Sequence, residues 1–177
     1  MREYKVKRVV VTGCHSGIGH ATARLLAAFG AEVHGLDIKP VDLVLASFCS
    51  LDLRDPRSIE AAAASIGGPV DALFNSAGVG PSLSPLDVMK VNFIGTRYLT
   101  DLIVPAMGEG SAIVSFASNG GAGWPHHLPL LKELTATSSF ETGVEWYEEH
   151  ADAVPAAYSF SKEALIVWTM QASSRLI

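Results

Sequence analysis

Tyr158 and Lys162 stand four residues apart in Tyr158-Ser159-Phe160-Ser161-Lys162, on one face of any helix that contains them. A phenol has a reference pKa of about 10 and is a poor base near neutral pH unless positive charge stabilises its phenolate. An ammonium one helical turn away is such a charge. The pair alone also fits a surface Tyr beside a solvated Lys. Ser118 follows the apolar run Ser111–Phe116, and so lies at the carboxyl edge of a predicted strand, where open α/β sheets bind ligands. Asn92 falls inside a predicted helix, where Asn is an indifferent former.

A second chemistry is written near the start. Thr12-Gly13-Cys14-His15-Ser16-Gly17-Ile18-Gly19 joins a predicted strand, Arg8–Thr12, to a predicted helix, Gly17–Phe29. Gly13 permits the sharp exit from the strand, Gly17 lets backbone approach a pyrophosphate, and Gly19 allows close helix packing. Backbone N–H groups of Ser16–Gly19, at the helix start, face the phosphates. The glycines alone also fit an ordinary turn. Asp37 weighs against that, because it ends the next strand at the distance where a carboxylate accepts from both ribose hydroxyls. A 2′-phosphate would meet a like charge there, which predicts NAD over NADP, a preference that Lys39 tempers.

The elements that must position these groups alternate short apolar runs with longer helical periods, the pattern of parallel βαβ units. Strands are predicted at Arg8–Thr12, Ala31–Asp37, Ser47–Asp52, Val70–Asn75 and Ser111–Phe116. Helices are predicted at Gly17–Phe29, Arg57–Ile66, Pro85–Met107 and, amphipathic, Ala156–Ile177. Asn119–Pro155 is a mixed segment with a weak helical pattern. The fold class expected is α/β: a Rossmann-type doubly wound parallel sheet in three α/β/α layers. One NAD-binding domain spans 1–177, with an insertion at 119–155.

The final residues carry no Gly or Pro stop, so the rhythm predicts a further parallel strand and a longer protein whose C-terminal strands are missing here. Expressed alone, these residues are expected to be poorly soluble or nearly inactive, with the fifth strand an exposed apolar edge.

Composition bounds the partners. Apolar residues make up 49% and charged residues 18%, with a net charge of -5, which argues against disorder and nucleic-acid binding. No apolar run is long enough to span a bilayer and no signal core follows the charged N-terminus, so a cytoplasmic protein is expected. Cys14 and Cys49 offer neither a disulfide framework nor metal spacing, and no metal is expected. Cys14 reads as filler. Adjacent His126 and His127 read as solvated or loop-packed, and Glu145, Glu148 and Glu149 as a solvated helix face. Trp124 and Trp146 fit either a wall for a bulky substrate or core packing.

The TGxxxGxG spacing of Thr12–Gly19, with Tyr158 and Lys162 as YxxxK, resembles the short-chain dehydrogenase/reductase family. The resemblance implies that Asn92, Ser118, Tyr158 and Lys162 form the family's catalytic tetrad, and that Asp52-Leu53 contacts the adenine ring. It also implies that Asn75-Ser76-Ala77-Gly78 is the NNAG element, its second Asn replaced by Ser, supporting the sheet and lining the cofactor. Lys162 would also hold the nicotinamide ribose, and the Asn92 equivalent orders a water in a proton relay. The implied activity interconverts an alcohol and a ketone with NAD(H). Ser118 and Tyr158 are 40 positions apart, wider than is usual in the family. That spacing, a short 37–52 region and the helical insertion resemble a bacterial 3α-hydroxysteroid dehydrogenase/carbonyl reductase subgroup. A small alcohol or ketone substrate is implied, with a homo-oligomer that differs from, or is weaker than, the family's usual long-helix dimer.

Overall fold

The computed structural model describes residues 7–176; the charged residues 1–6 and Ile177 lie outside the described residues. Five strands, β1 (Arg8–Thr12), β2 (Glu32–Asp37), β3 (Ser47–Ser50), β4 (Val70–Asn75) and β5 (Met107–Ser115), form one parallel sheet in the order β3-β2-β1-β4-β5. The order reverses at β1, which makes this the doubly wound Rossmann-type fold expected from the sequence. Central β1 has Val9, Val10 and Val11 all fully buried, because a parallel central strand is covered on both faces and has no solvent side to alternate with.

Helix α1 (Gly17–Ala28) joins β1 to β2, and α2 (Pro56–Ile66) joins β3 to β4. The β2–β3 connection contains no helix. Val41, Leu43 and Leu45 at alternate positions pack on the cluster formed by Val9, Val11, Cys14, Ala23, Leu26 and Val33. Period-two side chains cover there the surface that a crossover helix would cover. Gly35 is what admits them: a Cβ there would sit 2.6 Å from Leu45 Cδ1 and 2.9 Å from Cys14 Sγ.

The long helix expected over Pro85–Met107 is not uniform. It consists of α3 (Pro85–Met89), a π-helical turn (Lys90–Ile94), α4 (Gly95–Ile103) and a 3₁₀ turn (Val104–Ala106). β5 begins earlier than the apolar pattern indicated, and its register with β4 shifts between Val70 and Ala72. β5 pairs with β4 alone among the described residues, and Val114 is 37% exposed. The 119–155 segment folds as two 3₁₀ turns, Asn119–Gly121 and Trp124–His127, followed by α5 (Leu128–Ala136) and α6 (Phe140–Glu149). Helix α7 (Ala157–Leu176) corrects the amphipathic expectation: Phe160–Leu165, Val167 and Trp168 are buried all round its axis. Apolar residues on every side leave no polar stripe to read.

The chain clusters into two compact units. One contains the chain up to Ala77 with Arg97–Ser115, and therefore the whole sheet. The other contains Gly78–Thr96 and the chain from Phe116 onward. Among the described residues no helix is long and apolar enough to cross a membrane.

Candidate active site and cofactor cradle

In the sheet unit the glycine loop leaves β1 tightly. Gly13 takes φ +70, its N–H donates to Leu36 O at 2.8 Å, and a Cβ on it would lie 2.7 Å from Ala77 Cα. A Cβ on Gly19 would collide with Gly13 O, so backbone packs on backbone there. Gly17 differs: at φ +57 its missing Cβ faces open space. Ser16 is the N-cap of α1 but supplies no side-chain cap, and the first turn carries no acid. By contrast Asp55, Ser84 and Ser139 cap α2, α3 and α6. The start of α1 thus keeps its N–H donors and positive dipole end for an anion.

Asp37, at the end of β2, accepts from His15 N at 2.9 Å and Lys39 N at 3.0 Å, one bond to each oxygen. Each carboxylate oxygen retains a second acceptor site, the capacity that a pair of ribose hydroxyls requires. Burial, and secondarily Asp37, push the Cys14 thiol up to about 11, so it stays neutral beside the loop. Open space at Gly17, an uncapped helix start and a fixed carboxylate together fit a dinucleotide.

Thr12, a cradle residue that the sequence reading did not single out, fixes the neighbouring turn. Its Oγ1 accepts from both Ser76 N and Ala77 N at 3.0 Å. Its sequence signals are its place as the Thr of TGxxxGxG and a hydroxyl at the last position of an apolar strand. Asn75 Nδ2 donates to Thr100 Oγ1 at 3.0 Å and Ser115 Oγ at 3.3 Å, tying β4 to α4 and β5. Asn75 Oδ1, an acceptor, and the Ser76 hydroxyl are buried with no partner among the described residues. Asp52 is held by Arg54 through Nε at 2.9 Å and Nη2 at 2.7 Å, which lowers its carboxyl pKa; Leu53 is buried.

In the second unit the π-helical turn presents Asn92, 1% exposed. Its Oδ1 accepts from Val79 N at 2.8 Å, and its Nδ2 donates to Val79 O at 3.0 Å and Ser161 Oγ at 3.2 Å. The Ser161 hydroxyl in turn donates to Tyr158 O at 2.7 Å. π turns are rare and frequently sit at functional sites.

Lys162 lies one turn after Tyr158, 7% exposed, and Nζ donates to Phe116 O at 2.9 Å. Burial lowers its pKa, and two of its three donors have no partner among the described residues. The half-buried Tyr158 also has no partner for its hydroxyl among the described residues.

Two glycines mark where these groups converge. A Cβ on Gly78 would lie 3.3 Å from Asn92 Oδ1 and 3.6 Å from Lys162 Nζ. A Cβ on Gly120 would lie 3.4 Å from the Tyr158 ring and 3.5 Å from Ser118 Oγ. Asn92, Ser118, Tyr158 and Lys162 are therefore gathered, although they are remote in sequence. Ser118 Oγ accepts from Gly120 N at 3.1 Å and donates to Asn119 Oδ1 at 3.2 Å.

Of the residues set aside from the sequence, Cys14 is core and His127 is packed, its Nδ1 2.8 Å from Glu163 Oε2. Trp146 is buried and stacks on Phe160 and His150, the core alternative of its two readings.

A family profile described as short chain dehydrogenase matches residues 7–129, and the chain belongs to that family. Coniferyl-alcohol dehydrogenase from Pseudomonas sp. (strain HR199 / DSM 7063) is 40% identical over 163 residues, 92% of this chain and 64% of that protein. The 3-alpha-hydroxysteroid dehydrogenase/carbonyl reductase of Comamonas testosteroni is 33% identical over 167 residues, 90% of this chain and 63% of that protein. The chain thus spans under two thirds of the length of these relatives. Among solved structures, the 3-alpha-hydroxysteroid dehydrogenase from Pseudomonas sp. B-0831 complexed with NADH superposes with a TM-score of 0.71 at 27% identity. That match covers 94% of this chain and 68% of that one. The family match ends at residue 129, before Tyr158, so that profile covers the cradle, Asn92 and Ser118 but not the Tyr–Lys pair.

Proposed function

We propose that this chain is the cofactor-binding and catalytic part of an NAD(H)-dependent oxidoreductase that interconverts a secondary alcohol and its ketone. Residues Gly13, Ser16, Gly17, Ile18 and Gly19 would hold the pyrophosphate, Asp37 the adenosine ribose, and Asp52 and Leu53 the adenine. Asn75, Ala77 and Gly78 would line the cofactor, and Lys162 would bind its second ribose. When bound, the cofactor supplies the hydride-accepting ring and a positive charge. Tyr158 Oη takes the alcohol proton in oxidation and returns it in reduction. Lys162 stabilises the phenolate; its ammonium, disfavoured by burial, gains an opposite charge in doing so. Ser118 rotates its O–H from Asn119 Oδ1 toward the substrate oxygen and stabilises developing charge there. Asn92 holds Val79 and Ser161, and so fixes the turn around Gly78 and the start of α7.

The observation that carries this reading is the pairing, one turn apart on α7, of a phenol and a buried ammonium whose hydroxyl and spare donors have no partner among the described residues. The 40% identical relative favours a second reading, in which the substrate is an aryl alcohol such as coniferyl alcohol, oxidised to an aldehyde.

The full-length protein with NAD or NADP, offered hydroxysteroids, cyclic alcohols and coniferyl alcohol, tests both. Formation of the reduced nicotinamide with secondary alcohols supports the first reading, and turnover of coniferyl alcohol alone supports the second. Binding of NAD without turnover of any of them would point to a non-catalytic binder. The like charge of Asp37 favours NAD. The reading includes a cytoplasmic homo-oligomer, which light scattering that finds only monomer would reject.

A further inference from the structure

Helix α7 poses a problem of rotation. Its central turns are buried on every side, so burial alone does not select which residues face which neighbour. Catalysis by Tyr158 and Lys162 requires one rotation only. Two buried polar contacts select it. Ser161 bonds Asn92 on one side, and Glu163, 2% exposed, meets His127 Nδ1 at 2.8 Å on another. Two residues apart on a helix of 3.6 residues per turn, these contacts lie about 160° from each other. A buried carboxylate is unfavourable unless paired, and specifying register is the best-attested use of such a group.

The 119–155 insertion supplies the second of these partners, His127, and packs further along the helix. Gly121 lies so close to α7 that a Cβ would be 2.7 Å from Ile166 Cδ1 and 3.0 Å from Lys162 C. A Cβ on Gly123 would be 2.7 Å from Glu163 Oε1. The glycine-dense run Asn119–Gly123 is therefore a backbone strip laid along the Tyr158–Lys162–Ile166 stripe. Phe160, fully buried between the catalytic pair in sequence, stacks on Trp146 at 6.2 Å with 5° between planes and meets the His127 ring edge-on at 6.3 Å.

We propose that His127, Trp146 and Glu163 are positioning residues: the insertion grips Phe160 and Glu163 and thereby sets the rotation of α7 that aims Tyr158 Oη and Lys162 Nζ. This rests on the catalytic reading above.

The test uses the full-length protein and three variants, Glu163→Gln, His127→Ala and the apolar pair His127→Phe/Glu163→Leu. Glu163→Gln still accepts the imidazole N–H and is expected to keep kcat within about twofold. His127→Ala and the apolar pair are expected to lose about 10- to 100-fold in kcat, with the cofactor Kd unchanged, because small misplacements of catalytic groups carry that penalty. The apolar pair removes both polar partners together, so it is expected to fold and to keep its Tm. Full kcat in the apolar pair would overturn the proposal. So would a loss of kcat in Glu163→Gln equal to that in His127→Ala.

Phenol ionisation, read by ultraviolet difference against Tyr158→Phe, needs no turnover. It is expected to shift in the apolar pair, and an unshifted titration overturns the proposal even if no alcohol is oxidised. Absence of turnover in the unmodified protein, with that shift present, would instead count against the catalytic reading alone.

Discussion

The proposed cradle and the proposed catalytic cluster are built from different parts of the chain. In the sheet unit the functional surface is backbone: positive φ at Gly13 and Gly17, an uncapped helix start, and one fixed carboxylate. In the second unit it is side chains, drawn from the π turn, the segment after β5 and α7, and held by hydrogen bonds to one another and to backbone. A backbone device tolerates change in side chains that do not enter it and fails when a methyl group intrudes. A side-chain cluster fails when one atom is removed.

Tyr158→Phe breaks that comparison most sharply. Loss of one hydroxyl should lower kcat by about 10³-fold, as removal of a general acid–base does, and leave cofactor Kd unchanged by titration calorimetry. An equal loss of cofactor affinity would show that the two functions are not separable.

Among the glycines, the expected ordering is specific. Gly19→Ala forces Cβ into Gly13 O and should prevent folding or lower Tm by many degrees. Gly17→Ala meets no atom, so its stability loss should be only the positive-φ strain of about 1 kcal/mol, while cofactor affinity drops about tenfold or more. Equal melting temperatures for the two variants would contradict this account of the loop.

Asp37→Ala should shift the NAD-to-NADP ratio of Kd by about 10- to 100-fold toward NADP, the size of one charge-assisted pair of hydrogen bonds.

The pH dependence at Lys162 is smaller, but its sign is fixed. Burial lowers its folded pKa below the unfolded 10.5, so the unfolded chain binds more protons between those two values. The contribution of Lys162 to stability therefore rises with pH through that window. Relative to Lys162→Met, the unmodified chain should gain Tm as pH rises from neutral toward 10.5, and a gap that widens in favour of the variant would be the wrong sign. Smallest in consequence, alkylation of native protein near pH 8 should modify Cys49 and spare Cys14, which is buried and neutral up to about 11.

Much was legible before the fold was seen. β1, β4, the glycine loop and the bounds of α2 follow from short-range patterns, and the strands fall in the expected order. The π turn was not legible, because Asn92 in a helical pattern looks like a weak helix former rather than a residue whose side chain bonds Val79. Nor was the packing of α7, whose apolar residues point in all directions. The 119–155 segment shows only a weak pattern in the sequence. Its glycines look like loop residues until Gly121 and Gly123 are seen against Lys162 and Glu163.

The sequence alone therefore determined the alternating α/β order and the glycine turn after β1, since backbone freedom at a glycine and the carboxylate that ends the next strand are local properties. It also named the four candidate catalytic residues. Only the tertiary structure decided that Asn92, Ser118, Tyr158 and Lys162 converge on Gly78 and Gly120, and that His127 and Glu163 pair. Contacts between groups tens of residues apart are fixed by burial and by satisfying hydrogen bonds across the whole core, and no local pattern records them.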